Sequence, residues 1–208
     1  KAHEMAENKG VLEYSHSAGI PTYRRALCNY YHRHGIDVTP NQIIVTNGGS
    51  EALQFAFTVC LNPGDEVIIP EPYYTNYNMF AKLVDAKIKT ISSDIRSGFA
   101  LPPIEEFEKA ITPRTKAIMI CNPNNPTGYL YSEAEIRQVA EIVKKHDLFL
   151  FADEVYREFC YDGMQHFSVM QLPGLENNVV LFDSVSKRYS ACGARIGCMV
   201  TRNSELYS

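Results

Sequence analysis

A lysine set between small hydroxyl residues is the first feature of this 208-residue sequence that could do chemistry. Lys187 follows Ser184 and Ser186, and Arg195 comes eight residues later. Apolar runs flank this stretch on both sides, which predicts a loop between two strands. An amine there can attack a carbonyl and form a Schiff base, while the hydroxyls and the guanidinium can bind a phosphate. The alternative is a solvated lysine on a turn.

A glycine pair offers a second place for an anion. Gly48 and Gly49 stand between a short β-branched run and a helical pattern that starts near Ser50. The free N–H groups at the start of such a helix point toward an anion, and Ser50 adds a hydroxyl. A tight turn with Ser50 as the helix cap would explain the same residues. Because Gly-x-Gly-x-x-Gly spacing and a phosphate-loop lysine are both missing, dinucleotides and nucleoside triphosphates are not expected here.

Asp153 is a third candidate, because it ends an apolar run that begins at Leu148. A carboxylate at the end of a buried parallel strand is costly without a cationic partner. That end of a strand is also where α/β sheets bind ligands. A helix cap or a structural ion pair would account for Asp153 equally well.

These side chains must be positioned by a regular series of strands and helices. Apolar strand patterns alternate with amphipathic helix patterns, which predicts an α/β fold with a doubly wound, mostly parallel sheet and helices on both faces. Thr22 is predicted to cap a helix that runs to His34, and Ser132 with Glu135 forms a capping box. A helix is also predicted to open at Pro72 and to run to Val84.

Composition narrows the function classes. At 45% hydrophobic residues, the chain can bury one substantial core. A formal charge of −4 with scattered basic residues argues against a nucleic-acid binder. Six cysteines lie mostly in apolar runs without zinc-ligand spacing, which indicates reduced thiols in the cytoplasm and no metal site. No apolar run reaches the roughly 20 residues of a membrane span.

The lysine motif resembles that of a known enzyme family. Ser-x-Ser-Lys followed by Gly-x-Arg-x-Gly is similar to the cofactor-lysine motif of the class I/II aminotransferases, the aspartate-aminotransferase-like, fold-type-I pyridoxal-phosphate enzymes. Three further segments match the same family in the right order. They are Asn47-Gly48-Gly49-Ser50-Glu51-Ala52-Leu53, Asn122-Pro123-Asn124-Asn125-Pro126-Thr127-Gly128 and Ala152-Asp153-Glu154-Val155-Tyr156.

The resemblance implies roles for individual residues. Lys187 would hold pyridoxal 5'-phosphate as a Schiff base and then act as the base, and Asp153 would pair with the pyridine nitrogen. Tyr156 is the third catalytic residue that the family implies. The cofactor-binding residues implied by the resemblance are Gly49, Ser50, Glu51, Tyr74, Asn125, Asp153, Tyr156, Ser184, Ser186, Lys187 and Arg195. Among these, Tyr74 would stack on the ring, and Asn125 and Tyr156 would contact its phenolic oxygen.

The resemblance also implies an assembly and an activity. Tyr14 would reach the cofactor phosphate of a partner subunit, so a homodimer with shared active sites is expected. The expected reaction moves an amino group between an amino acid and a 2-oxo acid. Alternatives are other pyridoxal-phosphate reactions (C–S lysis, 1-aminocyclopropane-1-carboxylate synthesis, decarboxylation), or a ligand-sensing domain of a transcriptional regulator.

Residues 1–208 are expected to be the cofactor-binding large domain of a longer protein. The sequence starts at Lys1 without a methionine, in the middle of a helical-looking stretch, Ala2 to Lys9. In the family, a small domain supplies the arginine that binds the substrate α-carboxylate. We expect that domain to lie outside this chain.

Overall fold

Seven strands form one sheet in the computed structural model, which describes residues 14–207. In chain order they are β1 (Ile43–Thr46), β2 (Glu66–Glu71), β3 (Lys87–Ser92), β4 (Thr115–Cys121), β5 (Phe149–Asp153), β6 (Val179–Ser184) and β7 (Gly197–Thr201). Across the sheet the order is β1-β7-β6-β5-β4-β2-β3. Strands β2 to β6 pair in parallel, whereas β7 is antiparallel to both of its neighbours. The prediction of a mostly parallel sheet is therefore confirmed.

Helices cover both faces of this sheet. They are α1 (Pro21–Arg33), α2 (Gly49–Cys60), α3 (Tyr77–Leu83), α4 (Ile104–Ala110), α5 (Glu133–His146), α6 (Val185–Arg188) and α7 (Ser204–Tyr207). Side chains of α1, α4 and α5 pack on one face, and side chains of α2 and α3 pack on the other. Within residues 14–207, no helix is long and apolar enough to cross a membrane.

The two faces of the sheet carry two separate hydrophobic cores. Alternate residues of one strand belong to different cores, as Leu181 and Phe182 of β6 do. Because both faces are covered, the central strands are apolar at nearly every position, which is why they appear as continuous apolar runs in the sequence. The six cysteines all lie in the described range and are free thiols.

Three helix starts test the predicted boundaries. The capping box of α5 is confirmed, since the Ser132 hydroxyl accepts from the Glu135 amide at 3.3 Å and the Glu135 carboxylate accepts from the Ser132 amide at 2.8 Å. The Thr22 cap is wrong: α1 begins at Pro21, whose fixed φ suits the first helical position. The helix expected from Pro72 begins only at Tyr77, after a stretch of turns. The predicted stretch Ala2 to Lys9 lies outside the described residues.

The topology brings five chain segments to one edge of the sheet. Strands β4, β5 and β6 are parallel, so their carboxyl ends lie together, with Cys121 opposite Asp153. Gly197, at the start of antiparallel β7, lies opposite both Ser184 of β6 and Thr46 of β1. Strand β2 is parallel to β4, so the loops that follow β1, β2, β4 and β5 and the connection between β6 and β7 meet at this edge.

Candidate active site

A cavity of about 180 Å³ opens at the edge where these loops meet. Its walls come from the start of α2, the Tyr74 segment, the ends of β4 to β6 and the loop before β7. The lining residues are Gly49, Ser50, Leu53, Tyr74, Tyr77, Cys121, Asn125, Asp153, Val155, Tyr156, Ser184, Ser186, Lys187, Cys192 and Arg195. Residues separated by more than 130 positions in the sequence therefore share one small volume, at the place where α/β sheets bind ligands.

The start of α2 forms one end of this cavity. Gly48 occupies the N-cap position with a φ of +79° and no side-chain cap, so no side chain takes up the first N–H groups of the helix. A side chain at Gly48 would overlap the guanidinium of Arg195, which lies against this turn. A β-carbon at Gly197 would lie 2.6 Å from the amide nitrogen of Gly49, so β7 passes in backbone contact with the turn. Glycines at these positions allow helix, strand and arginine to converge.

Hydroxyl and guanidinium groups complete this end. Ser184 and Ser186 are buried, and the Ser184 hydroxyl caps α6 by accepting from the Ser186 amide at 3.0 Å. Arg195 is exposed and adopts a left-handed φ of +52°, and its Nη1 donates to the carbonyl of Cys192 at 3.0 Å. Together with the first turn of α2, these groups present several donors and a positive charge, which suits a phosphate.

Lys187 lies in the short helix α6 and reaches the cavity next to Tyr156. Its Nζ lies 5.8 Å from the centroid of the Tyr156 ring, a distance that allows a cation–π contact. Burial raises the pKa of Tyr156, and the positive charge of Lys187 opposes this rise. The lysine is therefore held beside a neutral phenol at pH 7.

Asp153 lies deep in the cavity, at the end of β5, and is 6% exposed. Its Oδ2 accepts a hydrogen bond from the hydroxyl of Tyr77 at 2.8 Å, and its Oδ1 accepts from the Val155 amide at 3.3 Å. Burial raises the pKa of Asp153 to about 6, against the lowering effect of these two donors. The carboxylate is therefore mostly ionised at pH 7, with no cationic side chain bonded to it among the described residues.

Tyr74 and Asn125 line the side walls. The Tyr74 ring meets Tyr77 edge-on, with 5.4 Å between the centroids, and its hydroxyl accepts from Nδ2 of Asn76 at 2.7 Å. Asn125 lies in the loop after β4, which is closed by a 2.8 Å bond between the Asn124 amide and the Tyr129 carbonyl. Both side chains are half-buried. A planar ring bound in the cavity would therefore lie near both the Tyr74 ring and the Asn125 amide.

Two residues predicted for the site do not line this cavity. The carboxylate of Glu51 accepts from the Asn47 amide at 2.6 Å and so closes the turn that leads into α2. Tyr14 is fully exposed in the single chain. The resemblance assigns Tyr14 to a partner subunit, so its place in this chain leaves that prediction as it was.

Sequence reasoning missed several members of the site. Tyr77, Cys121 and Cys192 line the cavity beside the predicted residues, as do the apolar side chains of Leu53 and Val155. Burial raises the pKa of the Cys121 thiol, so that residue is a neutral part of the wall. The available signal for Tyr77 was its place three residues after Tyr74, which puts both rings near the same cavity once the first turn of α3 forms.

Comparisons with known proteins show which family this chain resembles. The family model described as aminotransferase class I and II matches residues 1–208. An aspartate aminotransferase of Geobacillus stearothermophilus is 37% identical over 194 residues, which cover 92% of this chain and 49% of that protein. An aspartate/prephenate aminotransferase of Cereibacter sphaeroides is 36% identical over 199 residues, covering 94% of this chain and 50% of its own length.

A solved structure is also similar. The aspartate aminotransferase from Thermus thermophilus with maleate superposes with a TM-score of 0.90 at 34% identity, and the match covers 99% of this chain and 53% of that one. The chain therefore spans about half the length of the relatives that it matches.

Proposed function

Because the chain belongs to the class I and II aminotransferases, we propose that it forms the cofactor-binding large domain of a pyridoxal-phosphate-dependent aminotransferase. Members of this family use pyridoxal phosphate as their cofactor. The observation that carries the proposal is the shared cavity, in which Lys187, Asp153 and the anion-binding donors face one volume. Since the relatives are about twice as long, we propose that sequence outside residues 1–208 supplies the small domain.

The donor set fits a phosphorylated pyridine aldehyde. Such a molecule needs an anion site, a partner for a basic ring nitrogen and an amine that can bind its aldehyde. The uncapped turn at Gly48 and Gly49 leaves helix N–H groups for the anion, and the absence of a β-carbon at Gly48 lets the guanidinium of Arg195 lie against the same turn. The ionised, buried carboxylate of Asp153 is suited to a cationic nitrogen, since burial makes such a pairing favourable.

We assign the phosphate to one end of the cavity and the ring to its centre. Gly49, Ser50, Ser184, Ser186 and Arg195 would bind the phosphate. Tyr74 would stack on the ring, because offset aromatic stacking contributes about 0.5–1.5 kcal/mol beyond burial. Asn125 and Tyr156 would donate to the phenolic oxygen. Glu51 would act indirectly, by holding the turn before α2 through the Asn47 amide.

The chemistry then divides between cofactor and protein. When bound, pyridoxal phosphate supplies an electron sink for the pair of electrons left on a deprotonated carbon. The carboxylate of Asp153 would keep the proton on the ring nitrogen. The amine of Lys187 would hold the cofactor at rest and would then move the proton between the substrate α-carbon and the cofactor carbon, as a general base and acid. The Tyr156 phenol, beside that amine, would keep it oriented.

We propose that the substrates are an amino acid and a 2-oxo acid, and that the protein is a cytoplasmic homodimer with shared active sites. The names of the relatives, aspartate and aspartate/prephenate aminotransferases, favour amino-group transfer over lysis, decarboxylation or ligand sensing. In the dimer, Tyr14 of each subunit would reach the phosphate in the partner's site. Its full exposure in the single chain is compatible with such a role.

The test uses protein expressed from the complete gene. Borohydride reduction with bound cofactor, followed by peptide mapping, should place the label on Lys187. Transamination should be measured with 2-oxoglutarate and a panel of amino donors, aspartate first. Lys187→Ala should abolish both the label and the activity, whereas Lys109→Ala, which removes a surface ion pair with Glu106, should change neither. A label on another lysine would refute the assignment.

A further inference from the structure

Arg188, the residue after Lys187, is anchored on the opposite side of the sheet from the cavity. Its side chain is only 5% exposed and forms an ion pair with the carboxylate of Asp183. Its guanidinium carbon lies 4.1 Å from the ring centroid of Tyr30, directly over the aromatic face. Nη2 also lies 3.4 Å from the carbonyl oxygen of Ser184. A guanidinium held by a carboxylate and an aromatic ring has little freedom to move.

Asp183 fixes the other end of this contact. It is fully buried near the end of β6. Besides Arg188, its carboxylate accepts from the hydroxyl of Tyr31 at 2.9 Å, from Nη1 of Arg157 at 3.2 Å and from the Ser184 amide at 2.7 Å. A carboxylate that accepts from four donors is held in one orientation. Arg188 is therefore tied to a fixed point one residue before the phosphate-site serine.

The same cluster joins β5, which ends in Asp153, to β6, which leads into the turn that carries Lys187. Arg157 bridges Asp183 of β6 to Glu154, which follows Asp153 at the end of β5, with 2.8 Å from Nη2 to Oε2 of Glu154. The Glu154 amide donates to the Phe182 carbonyl at 3.0 Å. The ion pairs therefore hold the ends of β5 and β6 in one arrangement.

Geometry then separates the directions of Lys187 and Arg188. Asp153 lies opposite Phe182, on the cavity face of the sheet, so Asp183 must face the other side. Successive residues of a helix point about 100° apart, since a turn holds about 3.6 residues. With Arg188 fixed toward Asp183, the turn of α6 cannot rotate, and Lys187 is left pointing toward the cavity.

Stability alone is a weak reason for such a cluster. Replacing buried ion pairs by apolar side chains of similar size is often neutral or stabilising, because burying charges is costly. A surface loop could also carry a lysine without any buried ion pairs, so the cluster calls for another explanation.

We propose that Arg188 is a positioning residue, which orients Lys187 toward the cofactor by anchoring the turn Val185–Arg188 to Asp183 and Tyr30. This inference rests on the proposed function, because it concerns the amine that would hold the cofactor. Arg188 itself does not line the cavity. It acts only on the direction of its neighbour.

Binding of two ligands to protein expressed from the complete gene can distinguish a positioning role of Arg188 from a general structural role. Pyridoxal phosphate carries an aldehyde that Lys187 would bind, whereas pyridoxine phosphate lacks the aldehyde and would fill the cavity without bonding to the lysine. Affinities for both should be measured for wild type, Arg188→Met and Arg188→Lys. Arg137→Met is the matched control, because it removes an exposed ion pair with Glu133 on α5.

Positioning predicts that Arg188→Met weakens binding of pyridoxal phosphate by about 10- to 100-fold, the size of effect that a small misplacement of a reacting group produces. Affinity for pyridoxine phosphate should stay at the wild-type value. Arg188→Lys keeps a positive charge near Asp183 but loses the planar stack on Tyr30. Its affinity for pyridoxal phosphate should therefore lie between that of wild type and that of Arg188→Met. If Arg188→Met does not fold, the comparison of Arg188→Lys with wild type provides the test. Arg137→Met should match wild type with both ligands.

Two outcomes would overturn the proposal. If neither affinity changes, Arg188 does not position Lys187. If both affinities fall together, Arg188 builds the cavity as a whole. A wild-type protein that forms no borohydride-stable bond at Lys187 would instead refute the proposed function, so the two failures are distinguishable.

Discussion

The hydroxyl of Tyr77 lies 2.8 Å from Oδ2 of Asp153, and both side chains are buried where the cavity meets the sheet. Tyr77 belongs to α3 and Asp153 to the end of β5, so this bond joins a covering helix to the central strand. Burial raises the pKa of Asp153 to about 6, and the hydroxyl of Tyr77 counteracts part of that rise. The bond therefore adjusts the charge of the residue that would face the ring nitrogen.

The first prediction concerns Asp153 and pH in the cofactor-free protein. Because the pKa of Asp153 is raised from 3.8 to about 6 in the folded state, its contribution to stability is present below about pH 4 and is lost as pH rises to about 6. The loss in the free energy of unfolding amounts to about 3 kcal/mol, since a pKa difference of one unit between the folded and unfolded states corresponds to about 1.4 kcal/mol. Asp153→Asn should therefore gain stability relative to wild type as pH rises through this window. Urea unfolding from pH 3.5 to pH 7 measures the difference, and parallel profiles would contradict the assignment.

The second prediction tests the bond from Tyr77. In Tyr77→Phe, the carboxylate of Asp153 loses a donor at 2.8 Å, so the pKa of Asp153 should rise further and the pH-dependent loss of stability should extend to higher pH. Affinity for pyridoxal phosphate should fall at pH 7, because less of the Asp153 carboxylate is ionised. Tyr161→Phe, at a tyrosine that is 70% exposed, is the control and should behave as wild type.

A third prediction addresses Gly197. In Gly197→Ala the new methyl group would overlap the carbonyl carbon of Gly48 and lie 2.6 Å from the amide nitrogen of Gly49. Backbone must shift to relieve this, which costs about 1–3 kcal/mol of stability and moves the start of α2. Affinity for inorganic phosphate should fall as well. Gly193→Ala in the same loop meets no atom within 4 Å and should be neutral in both measurements.

The fourth prediction tests whether Arg195 binds the phosphate group of the cofactor. Arg195→Ala should weaken binding of pyridoxal phosphate by about 10- to 100-fold, the equivalent of about 1.5–3 kcal/mol for hydrogen bonds to a charged group. Binding of pyridoxal, which has no phosphate, should change little. Arg96→Ala, at an exposed arginine paired with Asp94, is the control. Equal losses for the two ligands would show that Arg195 does not contact the phosphate.

The fifth prediction concerns the shared site. Tyr14→Phe should weaken cofactor binding by about 0.5–3 kcal/mol, the range for one hydrogen bond to a neutral or charged group. A heterodimer of one Tyr14→Phe subunit and one Lys187→Ala subunit has one lysine-bearing site. If the partner supplies Tyr14, this site receives the wild-type tyrosine and regains full affinity. Weak binding in the heterodimer would place Tyr14 in its own subunit's site or in neither.

Much of this arrangement could be predicted from the sequence because it depends on local pattern. The apolar runs predicted the strands. The carboxyl ends of these strands then indicated the edge of the sheet at which Asp153 and the Asn125 loop lie. All five predicted anion-binding residues share one cavity, although no local pattern links Gly49 and Ser50 to Ser184, Ser186 and Arg195.

What the sequence could not give depends on tertiary contacts. Neither the bond from Tyr77 to Asp153 nor the ion pair between Asp183 and Arg188 has a local signature, because each joins side chains from two different secondary-structure elements. Arg188 lay in a predicted loop, where an arginine is ordinarily solvated. The Thr22 cap failed for a different reason, since a proline one residue earlier already suits the helix start.

The position of β7 between β1 and β6 sets an order of events during synthesis. Strand β1 is made early but, within residues 14–207, pairs only with β7, whose last residue, Thr201, emerges more than 150 residues later. Until then the glycine turn after β1 cannot meet Ser184 and Arg195. We therefore expect the cofactor-binding edge to close late, after the parallel strands have formed, since pairings between distant segments are slow. A growing chain cannot hold its ligand until nearly the whole sheet has been translated.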